Sequence, residues 1–206
     1  SEKPHSCVSR PSQISGSEDS LVASPKRCSM TPLGTEECSL SKQNVVICNR
    51  QRATAVCSKT LKHRFMAAIN LLKIPEADIS LVIVNDKEIA ELHEAWLGIS
   101  GPTDVLSFDL SSPQQSQHTL HRNPNSIRGE IIASAETASR EALVYHWSPD
   151  HELTYYLLHG LLHLKGYNDQ TPSERISMRR KERALMRAIG LPSPPRRRPK
   201  TTAIQR

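Results

Sequence analysis

The chain has 206 residues, 37% of them hydrophobic, with 27 Lys plus Arg against 21 Asp plus Glu; this suits one ordinary domain with tails and leaves part of the chain outside any core. No apolar run reaches the roughly 18 residues of a membrane span, and residues near Ser1 lack the charged and apolar blocks of a secretory signal. Five cysteines, Cys7, Cys28, Cys38, Cys48 and Cys57, form no C-x-x-C pair and are odd in number, so free thiols in a cytoplasmic protein are expected rather than a disulfide framework.

Charge is unevenly placed. Residues 1–43 carry five basic and five acidic groups, residues 44–190 carry 17 and 16, and residues 191–206 carry five and none. The first segment is rich in Ser and Pro without apolar periodicity and reads as a disordered arm. The second has the patterning of a folded domain.

Within it, Val45, Val46, Ile47 and Cys48 form a β-branched run suited to a buried strand. Ser58 stands at an N-cap position before Leu61, Phe65, Ala68, Ile69 and Leu72, which recur at helical spacing until Pro75. Residues 79–84 make a second strand, and Asn85 with Asp86 caps a helix carrying Ile89, Leu92 and Trp96. Gly98, Gly101 and Pro102 break it. Residues 103–108 read as a third strand, 111–126 as a polar surface loop, 127–133 as a fourth strand and 136–146 as a helix ending near Pro149. A helix over about 150–165 follows, and Pro172, Ser173 and Glu174 open a last helix, with Ile176, Arg179, Arg183 and Met186 along it, that Gly190 closes. The alternation implies an α/β or α+β single domain with a small mixed sheet of about four strands. Beyond it, four prolines and the cluster Arg196, Arg197, Arg198, Lys200 and Arg206 form an extended basic tail suited to a polyanion such as RNA.

The helix over 150–165 holds the chemistry. His159 and His163 are four residues apart, so both imidazoles leave one face. Gly166 suits a left-handed helix stop that returns the chain and brings Asp169 to the same point. Two imidazoles and one carboxylate are a zinc ligand set. The register is that of H-E-x-x-H-x-x-G-x-x-H metalloproteases, but Gly160 occupies the place of their general-base Glu, which argues against peptide hydrolysis.

The chain resembles the YbeY family. The resemblance rests on His159, Gly160, Leu161, Leu162, His163, Leu164, Lys165, Gly166 and Tyr167, on the run from Gly101 and Pro102 to Ser107 and Phe108, on Asn85 with Asp86, and on Gly129, Glu130 and Ile131, all in the family's order. It implies a single-strand-specific, metal-dependent endoribonuclease of ribosomal RNA maturation, including the 3′ end of the small-subunit RNA. It also implies one zinc per chain, with ribosomal RNA and the small ribosomal subunit as partners. Asp169 stands where the family has a third His, and Leu97 where it has an arginine. Candidate groups besides the ligands are Glu130 and His151 for proton transfer, with Arg128, Lys165 and, by family analogy alone, Ser107 for RNA contact. His5, His63, His93, His118, His121 and His146 read as surface or loop residues. Oligomerisation has no signature, so a monomer is the default. The competing reading is a zinc-containing ribosome-assembly or RNA-binding factor without catalysis.

Overall fold

The computed structural model describes residues 42–111 and 126–195. Nearly all of the expected arm, the interior of the 111–126 loop and the arginine cluster of the tail lie outside the described residues. The elements run β1 (Lys42–Asn49), α1 (Ser58–Leu71), β2 (Glu76–Val84), α2 (Asp86–Leu97), β3 (Val105–Asp109), β4 (Ile127–Ser134), α3 (Ala135–Val144), α4 (Pro149–Leu164) and α5 (Pro172–Ala188). The strands form one mixed sheet in the order β1-β2-β4-β3, with β1, β2 and β4 parallel and β3 antiparallel along one edge. Parallel neighbours need a crossover, which α1 supplies between β1 and β2.

The sheet's two faces are unequally covered. Leu81 and Ile83 belong to the large core with residues of α1, α3, α4 and α5, whereas Val82 and Val84 belong to a small one with Ile89 of α2, Leu106 and Ile132. This alternation is the two-residue period of a strand buried on both sides. The centre of the large core is α4, which buries Leu153, Tyr156, Leu157, Leu158, Leu161 and Leu162. A helix apolar on most of its surface has to be enclosed, and here it lies between the sheet and the other helices.

Two glycines set how closely α4 approaches the sheet. A Cβ on Gly160 would stand 2.8 Å from Cγ2 of Ile131, and one on Gly129 would stand 2.7 Å from both the Phe108 carbonyl oxygen and Cδ1 of Leu164. The glycine between the two histidines is therefore required by packing, which also explains why no longer side chain occupies that place.

Several details differ from the sequence reading. Strand β1 begins at Lys42, so the folded unit takes in the last two residues assigned to the arm. Cys57, not Ser58, is the N-cap of α1, and it makes no side-chain capping bond. Trp96, placed on the apolar stripe of α2, is 68% exposed. Of the four residues marked along α5, only Met186 is buried; the inward face is Met178, Glu182, Leu185 and Met186. The helical period was obscured because a carboxylate occupies one of its inward positions.

Asp86 fastens α2 to the rest of the fold. Asn85 caps the helix by accepting from the Glu88 N–H at 2.8 Å. Asp86 Oδ1 accepts from the hydroxyls of Ser134 and Thr137, both at 2.6 Å, and its other oxygen pairs with Arg140. Its own N–H donates to Glu136 Oε2 at 2.8 Å. Burial alone would push the Asp86 carboxyl up, but the two hydroxyls and the guanidinium outweigh it and hold the group below its ordinary 3.8. A depressed carboxyl contributes stability above its unfolded pKa that is lost as pH falls through the folded value. Asp86→Asn should therefore cost about 1–3 kcal/mol at neutral pH by urea unfolding. The gap between variant and wild type should close only in acid, below the ordinary carboxylate range.

Candidate metal centre

The site is built at the C-terminal end of α4. His159 and His163 point together, with ring centroids 4.6 Å apart and the two Nε2 atoms 3.0 Å apart. Their other nitrogens are already committed. His163 Nδ1 lies 3.0 Å from the Tyr167 carbonyl oxygen, and His159 Nδ1 lies 2.7 Å from Glu182 Oε1. A carbonyl and a carboxylate only accept, so each Nδ1 carries the proton and donates it. Each neutral imidazole then presents an Nε2 lone pair to the other, and two lone pairs at that distance require a proton or a cation between them.

The chain turn after α4 completes the group. Gly166 has φ of 93°, its N–H bonds to the His163 carbonyl, and the Tyr167 N–H bonds to the Leu162 carbonyl, closing the helix with a left-handed stop. Arg175 then holds the returning strand by donating to the carbonyls of Asp169 at 3.0 Å and Gln170 at 2.6 Å. Thr171 and Glu174 form a capping box that starts α5 immediately afterwards. Asp169 thereby comes to the histidines, the three ligand atoms lying within 4.8 Å of one another. Its Oδ1 is buried and has no hydrogen-bond partner among the described residues.

This donor set fits a divalent ion. Tetrahedral zinc with ligands at about 2.0–2.1 Å spaces its donors about 3.3 Å apart, so small rotations of these side chains suffice. The electrostatics agree. Burial pushes the His159 imidazole down, but Glu182, by hydrogen bond and charge, outweighs it with help from Asp104 and Asp169, and the net shift is upward. Burial and the charge of neighbouring His159 push His163 down. His159 is thus the ring that takes up a proton between the two Nε2 atoms and His163 the one that keeps its lone pair, so a bound ion would replace that proton.

A family model described as Endoribonuclease YbeY matches residues 45–190. The chain belongs to the YbeY family. Its relatives include the endoribonuclease YbeY of Desulfitobacterium hafniense, 40% identical over 56% of this chain and 74% of that protein, and that of Syntrophus aciditrophicus, 35% identical over 68% and 86%. The YbeY protein of Pelotomaculum thermopropionicum is 35% identical over 71% of this chain and 97% of its own length. The fold is similar to the solution structure of a Thermotoga maritima protein, with a TM-score of 0.51 at 21% identity, covering 71% of this chain and 89% of the other.

The remaining YbeY candidates divide by sheet face. Gly129 and Ile131 face α4, so Arg128 and Glu130 point to the opposite side of the sheet. The structure therefore does not bring Glu130 to the histidines. Arg128 has its Nε 3.5 Å from Oδ2 of Asp78, its neighbour across the strands. Ser107 pairs with Ile131 and shares its face, under α4. His151 stands eight residues before His159, about 12 Å along the helix, with its ring against Trp147. Lys165 is the half-buried C-cap of α4. Leu97 packs into the small core beside Leu92 and Phe108. His63 and His146 are exposed, but His93 is buried and bonds from Nδ1 to the Gly101 carbonyl oxygen at 2.9 Å, which corrects its reading as a surface residue. His5, His118 and His121 lie outside the described residues.

Sequence reasoning missed Glu182 and Arg175. The available signal was that Glu182 is one of two acids among 11 basic residues after Asp169, four positions beyond the apolar Met178.

Because Asp169 Oδ1 is buried without a hydrogen-bond partner among the described residues, Asp169→Asn should leave the melting temperature in excess chelator at or slightly above wild type. The rise in melting temperature that zinc gives the wild type should fall sharply in the variant, as differential scanning calorimetry would read directly.

Proposed function

We propose that this protein is a metal-dependent endoribonuclease that cuts single-stranded ribosomal RNA, with one zinc ion held by His159, His163 and Asp169. The observation that carries the metal part is the pair of Nε2 atoms 3.0 Å apart, each with its Nδ1 committed elsewhere, beside the unpartnered Asp169 oxygen. The family carries the RNA part, since its matched members are named as endoribonucleases. Among the described residues no helix is long and apolar enough to cross a membrane. Action in the cytoplasm on the small ribosomal subunit, at the 3′ end of its RNA, is the corresponding cellular reading.

When bound, zinc supplies Lewis-acid stabilisation of the charge that develops on a phosphoryl oxygen during cleavage. The chain's own groups prepare the place. Both histidines turn their Nε2 edges to the site because their Nδ1 atoms are bonded elsewhere, so loading would need only small ring rotations. Asp169 offsets one positive charge, and the left-handed stop at Gly166 holds it in reach. Ser107 shares the sheet face that α4 covers, and its hydroxyl is a neutral donor of the kind suited to a ribose or phosphate oxygen. Lys165 at the helix end is the nearest cation of α4 to the ligands, and the exposed Arg180, Arg183 and Arg187 of α5 extend a basic surface towards the tail. With Glu130 directed to the other face, proton transfer falls to solvent or to the RNA itself, whose 2′-hydroxyl can act as the nucleophile.

A second reading is favoured by one observation. Leu97 is packed among apolar residues where the family has an arginine, which suits a zinc-containing factor that binds RNA during ribosome assembly without cutting it.

Elemental analysis of the wild type, His163→Ala and Asp169→Ala, each paired with cleavage of a labelled ribosomal RNA fragment, separates the two. The expected outcome is about one zinc per wild-type chain, with zinc content and cleavage reduced together in both variants. Zinc without cleavage in the wild type would favour the binding factor, and no zinc in the wild type would overturn the metal centre.

A further inference from the structure

Glu182 is a buried carboxylate in a helix whose neighbouring charges are almost all basic. It is 3% exposed and its two oxygens have separate partners: Oε1 accepts a hydrogen bond from His159 Nδ1–H at 2.7 Å, and Oε2 accepts one from the Tyr155 hydroxyl at 3.1 Å. Tyr155 stands one turn before His159 on α4, with ring centroids 6.3 Å apart. Glu182 thus reaches from α5 into the space between two successive turns of α4, flanked in its own helix by the buried Met178, Leu185 and Met186.

A buried carboxylate is costly unless it is fully bonded and faces positive charge. Nothing in the packing of α5 requires one, since its other inward positions are apolar. The formal charges explain it. Glu182, bonded to His159, and Asp169, placed beside both rings, set two negative charges next to the imidazoles, to which Asp104 adds, and a divalent cation between the Nε2 atoms would offset them.

We infer that Glu182 is the positioning residue of the metal centre: it fixes His159 in the tautomer and rotation that offer Nε2 to the ion, supplies part of the neutralising charge, and is itself oriented by Tyr155. This rests on the metal reading above. It gives α5 a purpose beyond covering the core, because that one helix also carries Arg175, which holds the Asp169 turn. Of the three ligands, only His163 is then held without a bond from α5.

The test is zinc affinity, measured by competition with a chromophoric chelator on full-length wild type, Glu182→Gln, Glu182→Ala and Tyr155→Phe, with circular dichroism to establish the folded fraction. Glu182→Gln keeps an acceptor but loses the charge, and Glu182→Ala loses both. Affinity should fall in the order wild type, Tyr155→Phe, Glu182→Gln, Glu182→Ala, with the two Glu182 variants weaker by about 10–100-fold. If Glu182 merely braces the core, Glu182→Ala will melt lower while its folded fraction binds zinc as tightly as wild type, and that would overturn the inference. So would a Glu182→Gln affinity within about twofold of wild type. Either result leaves the metal reading standing, whereas a wild type that binds no zinc overturns both.

Discussion

Both imidazoles of α4 donate from Nδ1, one to a buried carboxylate and the other to the carbonyl that follows the helix stop, and this commitment decides what the opposite ring edges do. With the Nδ1 protons fixed, the Nε2 atoms meet across 3.0 Å, and a proton or a metal cation between them relieves that approach. The surrounding structure serves this arrangement. The left-handed turn at Gly166 returns Asp169, Arg175 pins the returned carbonyl, and α5 delivers Glu182.

Such a centre needs a rigid support, and α4 has one because the chain removes side chains where helix and sheet meet. Gly160 and Gly129 let α4 rest against β4 at a distance that a methyl group would prevent. The opposite sheet face is covered more lightly, by α2, whose attachment depends on the Asp86 network with Ser134, Thr137 and Arg140. Polar anchoring there compensates for a small apolar cluster. The exposed Trp96, in ring contact with Phe108 at 5.4 Å, lies on that side and contributes little burial.

Much of the fold was legible because its signals are local. The β-branched runs became strands, Asn85 became a cap, Pro172 opened a helix, and Gly98, Gly166 and Gly190 took positive φ beyond helix ends, whereas Pro149, read as the end of one helix, begins the next. The spacing of His159 and His163, with a glycine stop ahead of Asp169, was similarly readable, since helix geometry alone brings those atoms near one another. What escaped was decided at long range. Glu182 went unnoticed because its partners are 23 and 27 residues away. His93 looked like a surface histidine because its acceptor is a loop carbonyl. Glu130 stood beside a motif glycine, but strand alternation sends neighbours to opposite faces, and which face meets the site is settled only when the strand pairs and α4 packs.

Zinc K-edge X-ray absorption on the zinc-loaded protein would probe the ligand set directly. Light-atom ligands at about 2.0–2.1 Å with multiple scattering from two imidazoles are expected, reduced to one in the zinc that His163→Ala retains. A sulfur shell at about 2.3 Å, or an imidazole signal unchanged in that variant, would contradict it.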